Sequence, residues 1–255
     1  TGERGKVYSI MWVLITLATI VSSLGLVFIV DKLGVHNGVK LGFMVYFAIA
    51  LITAMLFYFR LEETHSPQPV PVTPKHFVKD IITTIKSSSK PFRLFLIYYL
   101  AETPARMILM TYYVLYLVHV ANASDALTAL VFSVAMIVYL LTQIMIGPLV
   151  DKVNRAKVLS LLIALTLLCS LVFTVSYQNL MISVIFCVFM IATIFLEQYM
   201  HIIFMADVTV KESRGTSLGL IRTIIGLESA LSVFIGGILF ELNLSYPFVL
   251  VVHKV

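Results

Sequence analysis

Glutamate and arginine stand four residues apart in YYLAETPARMILMTYY (Glu102 and Arg106), and glutamate and histidine repeat that spacing in IFLEQYMHIIFMAD (Glu197 and His201). Residues so spaced lie one above the other on a single helix face. Both stretches are otherwise largely apolar, so the charges stand where water is scarce. Burial favours the protonated form of a carboxylate, and a neighbouring cation favours the ionised form. An acid whose neighbour changes with conformation can therefore take up a proton in one state and release it in another. That chemistry makes Glu102 or Glu197 the candidate proton carrier, with Arg106 as its counter-ion or as partner to an anionic solute. A third stretch, LIRTIIGLESALSV, adds Arg222 and Glu228, which lie about 120° apart around a helix and face different neighbours. Tyr98, Tyr99, Tyr112, Tyr113 and Tyr116 lie near the first pair and could line a cavity for an organic solute. Static pairing that stitches helices together would use the same charges, and packed aromatics the same tyrosines. No second His or Cys stands at ligand spacing from His201, so a metal site is not supported. No glycine-rich phosphate loop or other cofactor pattern is present, so ATP-driven transport finds no support either.

Those residues must be held by membrane-spanning helices. The 255-residue chain is 60% hydrophobic and 12% charged, with mean hydropathy +1.01, whereas soluble domains carry roughly 25% charged residues. Its apolar blocks reach the ~20 residues needed to cross a hydrocarbon core, which implies an all-α polytopic bundle. Spans are expected at 7–30, 40–60, 93–118, 126–150, 157–177, 180–206 and 216–240, with another starting near 246. Ionisable groups inside such spans cost several kcal/mol and mark function by default. Cys169 and Cys187 fall within apolar runs and read as small buried hydrophobes. The net charge of +5 does not point to nucleic acid, because the basic residues are spread over short loops. Alternate connections hold Arg4, Lys6, Arg60, Lys75, Lys79, Lys86, Lys90, Arg93, Lys152, Arg155, Lys157, Lys211 and Arg214, against only Lys32 and Lys40 in the others. The basic set is expected to face the cytoplasm, which places residue 1 and the 61–92 connection inside.

That connection, beginning LEETHSPQPVPVTPKHFVKDIITTIKSSSKP, differs from its surroundings. Its prolines make the first part extended, and HFVKDIITTIK has the spacing of a short helix lying along the membrane surface. It divides the chain into 1–60, a linker over 61–92, and 93–255. Glu3-Arg4-Gly5 before one apolar run and Ser213-Arg214-Gly215 before another, with Gly25 and Gly236-Gly237 deeper in each, form a weak internal repeat. Repeats about a long central loop are a transporter pattern.

GPLVDKVNRAK, residues 147–157, packs charges between two apolar runs. Its Gly147-x-x-x-Asp151-Lys152-x-Asn154-Arg155-x-Lys157 pattern resembles the signature loop of the major facilitator superfamily, G-x-x-x-D-R/K-x-G-R/K-x-R/K. Asn154 replaces the usual glycine and is expected to tolerate a left-handed turn. Gly147 would allow close helix approach, Pro148 would help end the span, and Asp151 would meet the positive end of the first span near Gly5. Lys152, Arg155 and Lys157 would hold the loop inside and pair with Asp151, forming a latch that breaks when two half-bundles rock. Glu62 and Glu63 resemble the family's acidic span ending. The resemblance implies a piece of a longer twelve-span carrier, from span five to the start of span twelve. It also implies that the spans over 93–118 and 180–206 line a central cavity, and so puts Glu102, Arg106, Glu197 and His201 around the solute path. The expectation is a monomeric secondary transporter of the cell membrane, moving a small organic solute with protons. A receptor or scaffold of the same family is the alternative, and a membrane-embedded transferase a more distant one.

Overall fold

The computed structural model describes residues 2–60, 83, 85–86, 88–150, 154–209, 214–244 and 246–248. Every long element among them is a helix: α1 (Gly2–Arg60), α2 (Lys90–His119), α3 (Asp125–Val150), α4 (Arg155–Val175), α5 (Leu180–Val208) and α6 (Arg214–Leu242). Among the described residues, six helical segments are long and apolar enough to cross a membrane. They are Met11–Gly34, His36–Arg60, Asp125–Ile146, Arg155–Val175, Leu180–Met205 and Ile221–Leu242.

Helix α1 supplies the first two of these segments, and its backbone leaves helical geometry at Gly34 (φ 74°, ψ 164°). That conformation is open almost only to glycine. The chain reverses there: Gly38 sits against Val30 and Gly42 against Leu26, a symmetric pairing of two antiparallel arms. A connection over residues 31–39 was expected between the first two apolar runs. The helix instead continues to the turn on both sides, because a single residue without a Cβ can make the reversal.

Helix α2 is 30 residues long, about 45 Å, and so has the length to span. It is absent from the six apolar segments because Glu102, Thr103, Pro104 and Arg106 interrupt its hydrophobic run. Ser89 caps its start by accepting from the Phe92 amide, and its hydroxyl donates to the Val208 carbonyl at the end of α5 (3.3 Å). Pro104 lacks the amide that would serve the Leu100 carbonyl. Asn154 caps α4, accepting from the amides of Ala156 and Lys157. Its backbone is extended (φ −69°, ψ 108°), so the residue acts as a helix cap and not as the left-handed turn anticipated at this position. Helix α3 also runs through Pro148 to Val150, two residues past the proline expected to help end it.

The helices pack as α4 on α5, α3 on both α1 and α5, and α2 on both α6 and α5. Ser133 of α3 donates to Ser23 of α1 (2.9 Å). Tyr112 of α2 donates to the Val233 carbonyl of α6 (2.7 Å). Opposite that ring, a Cβ on Gly236 would fall 2.6 Å from Tyr112 Cε2, and one on Gly237 would fall 3.0 Å from its hydroxyl. The paired glycines noticed in the repeat thus have a packing job, seating α6 against an aromatic side chain. Tyr116, fully buried, donates to the Thr174 carbonyl and packs on Phe173 and Phe248. Both cysteines are buried and unbonded to each other.

Candidate solute and proton site

The middle of α2 brings its polar residues onto one face. Arg106 Nε lies 3.1 Å from Glu102 Oε1, with 5% and 13% of the two side chains exposed. The contact is an ion pair and not an aligned hydrogen bond. Arg106 Nη2 donates to Thr103 Oγ1 (3.4 Å) and reaches the Tyr99 hydroxyl (3.5 Å), and the guanidinium stands over the Tyr99 ring at 5.3 Å. All of these partners lie on α2 itself, so local helix geometry holds the arginine.

Helix α5 places Glu197 and His201 against this face, each 2% exposed. Their i, i+4 spacing does not lead them to bond each other. Glu197 Oε1 is hydrogen-bonded to the Thr166 hydroxyl of α4, and His201 Nε2 pairs with the Tyr98 hydroxyl of α2 at 3.1 Å. The Tyr99 ring meets His201 edge-on at 4.5 Å, and Phe95 stacks on Tyr99 at 5.5 Å. Thr166 also lies 2.9 Å from Thr193 Oγ1, and Thr193 lies 2.9 Å from the Phe189 carbonyl. A hydroxyl both donates and accepts, so this row of oxygens works in two directions. With Glu197 ionised, Thr193 donates to Thr166 and Thr166 to the carboxylate. With Glu197 protonated, the acid donates to Thr166, Thr166 to Thr193, and Thr193 to the carbonyl. Both protonation states are thereby satisfied in one geometry.

Glu228 of α6 is half-buried and acts electrostatically on Glu102, as Glu102 does on Glu197. Arg222, on the same helix, is exposed. The two therefore have different surroundings. Of the five tyrosines, Tyr98 and Tyr99 join the charged cluster, while Tyr112, Tyr113 and Tyr116 belong to the apolar core. Thr166 and Thr193 were not anticipated. The available signal was a lone hydroxyl in each of two apolar runs, LLIALTLLC and VFMIATIFL.

At the charged loop, Gly147 lies in the last helical turn of α3, and Lys157 is exposed. Arg155 forms an ion pair with Asp207 at the end of α5, a partner that sequence reasoning passed over. Asp151 and Lys152 lie outside the described residues, as do Glu62, Glu63 and the extended part of the linker. The expected contact of Asp151 with the first span also falls outside them, although α3 and α1 do pack together.

A family model for the Major Facilitator Superfamily matches residues 1–233. The chain belongs to the major facilitator superfamily. The match takes in α1 to α5, most of α6 and every residue of the buried cluster. A search of the curated proteins finds no match. As a superfamily member the chain is a multi-pass membrane protein, and membership implies a bilayer and a solute substrate. The superfamily is typically non-enzymatic. Four helices of this superfamily member converge on the cluster: α2, α4, α5 and α6.

Proposed function

We propose that this chain is a secondary active transporter that moves a small organic solute by alternating access, coupled to protons through Glu102 and Glu197. The observation that carries this reading is the buried cluster of Glu102, Arg106, Glu197 and His201, assembled from α2 and α5 with support from Thr166 of α4. A merely structural helix contact has little use for ionisable groups, which are costly in a bilayer. The hydrogen-bond row behind Glu197 supports proton exchange at that acid, since it serves both of its states. Glu197 and His201 are each only 2% exposed, so loading at them requires the helices to part.

In this reading residues 1–60 close one half-bundle, 61–92 link the halves, and 93–255 form the other. The basic loops face the cytoplasm of a cell-membrane protein that works as a monomer. Gly147, Asp151, Lys152, Arg155 and Lys157 act as the gating latch, and Arg222 and Glu228 line the same pathway. Reconstitution in proteoliposomes tests the proposal. An imposed pH gradient drives solute uptake, and Glu102→Gln or Glu197→Gln abolishes the coupling. Should both variants concentrate solute as the parent does, the proton-carrier assignment is wrong.

A further inference from the structure

We infer that the solute handled at this cluster is a protonated amine, an organic cation bearing N–H donors. The inference rests on the transport reading above and goes beyond it by fixing the solute's charge and its hydrogen-bonding groups.

Charge balance supplies the first argument. Glu102, Glu197 and Glu228 come from three helices and interact electrostatically, and Arg106 is the basic group acting on Glu102 and Glu197. Carboxylates that share a site disfavour one another's ionisation, and a cation relieves that cost. Arg106 itself is committed to Glu102, Thr103 and Tyr99 and is 5% exposed. An anionic solute would have to pull the guanidinium away and leave Glu102 buried without its counter-ion. A cationic solute needs no such exchange.

Hydrogen bonding supplies the second argument, independent of charge. Two buried atoms in the cluster able to accept, Glu102 Oε2 and His201 Nδ1, lack hydrogen-bond partners among the described residues; Arg106 Nε, a donor, also lacks one but faces Glu102 Oε1 at 3.1 Å in the ion pair. The first is an acceptor. The second is an acceptor when Nε2 carries the proton and donates it to Tyr98, a pair 3.1 Å apart. Leaving a buried polar atom unpaired costs about 1–3 kcal/mol, so a ligand that supplies donors gains that amount. An ammonium has N–H groups for both atoms, and its approach favours the tautomer that leaves Nδ1 free to accept.

The test is equilibrium binding to the detergent-solubilised intact protein, measured by calorimetry. The probes are primary amines (2-phenylethylamine, tryptamine, hexylamine), the trimethylammonium analogue of the first, and 3-phenylpropionate as its anionic counterpart. At least one amine binds, about tenfold or more tighter than the trimethylammonium analogue, which lacks donors. The carboxylate does not bind, and Glu102→Gln weakens the amine by a similar factor. Binding of the carboxylate in preference to the amines overturns the inference. So does failure of every amine to bind, or amine binding unchanged in both Glu102→Gln and Glu197→Gln. Comparison among wild-type probes needs no variant to fold. If the carboxylate binds while pH-driven uptake still depends on Glu102 or Glu197, the amine inference falls and the transport reading stands. Uptake indifferent to both glutamates removes the transport reading itself.

Discussion

Removing Arg106 while keeping Glu102 separates a functional ion pair from a static one. In Arg106→Met the carboxylate stays at 13% exposure without its cation. At an effective dielectric of about 20, opposite charges some 4 Å apart attract by about 4 kcal/mol. Breaking a buried pair from one side generally costs about 3–5 kcal/mol, because the remaining charge is stranded. Lost contacts to Thr103 and the Tyr99 ring add to the cost, while protonation of Glu102 recovers part of it. We therefore expect about 3 kcal/mol of destabilisation, read as a fall of roughly 6–12 °C in Tm for the detergent-solubilised protein. The double variant Glu102→Met, Arg106→Met removes both charges and fills the space with apolar side chains of similar length. Such replacements are often neutral or stabilising, so its Tm returns to within a few degrees of the parent. Proton-driven uptake by the double variant then decides the matter. A stable double variant that no longer couples uptake to the pH gradient identifies the pair as part of the mechanism. One that transports as the parent does would refute the reasoning and leave the pair as a structural tie.

Two further variants probe the support around the cluster. Thr166→Val removes the hydroxyl from Glu197, and a hydrogen bond to a charged group contributes roughly 1.5–3 kcal/mol. Proton-driven uptake therefore falls several-fold, and uptake equal to the parent's would show that this row does not serve the proton step. Gly236→Val forces a side chain into the Tyr112 ring, where even a Cβ would lie 2.6 Å from Cε2. Overpacking of this kind costs about 1–3 kcal/mol, so Tm falls, and the additional change Tyr112→Ala restores part of the loss.

The span-forming helices were legible because bilayer thickness imposes a length on apolar runs, and α3 to α6 fall where those runs lie. Helix α2 was the harder case, since the groups that make it interesting also lower its hydropathy. The Glu102–Arg106 pair could be read from spacing alone, because both residues belong to one helix and one face. Spacing misled for Glu197 and His201, which share a face but turn to α4 and α2. A side chain's partner in a bundle depends on which helices meet, and i, i+4 periodicity carries no information about that. Thr166, 31 positions before Glu197, and Asp207, 52 after Arg155, were missed for the same reason. The turn at Gly34 was hidden differently: a connection was expected between the runs 7–30 and 40–60, yet one glycine sufficed.

That turn bears on how the protein enters the membrane. With the reversal made at a single residue, Met11–Gly34 and His36–Arg60 form a unit with almost no loop to carry across. Each arm satisfies its own backbone hydrogen bonds, as a lipid environment demands. Close approach at Gly38 and Gly42 lets the arms contact each other at the apex. Asp31, Lys32, His36 and Lys40 cluster around that apex, polar side chains that suit the end of a hairpin lying at a membrane boundary. The arms are therefore suited to enter the bilayer together, as a hairpin, in one concerted step.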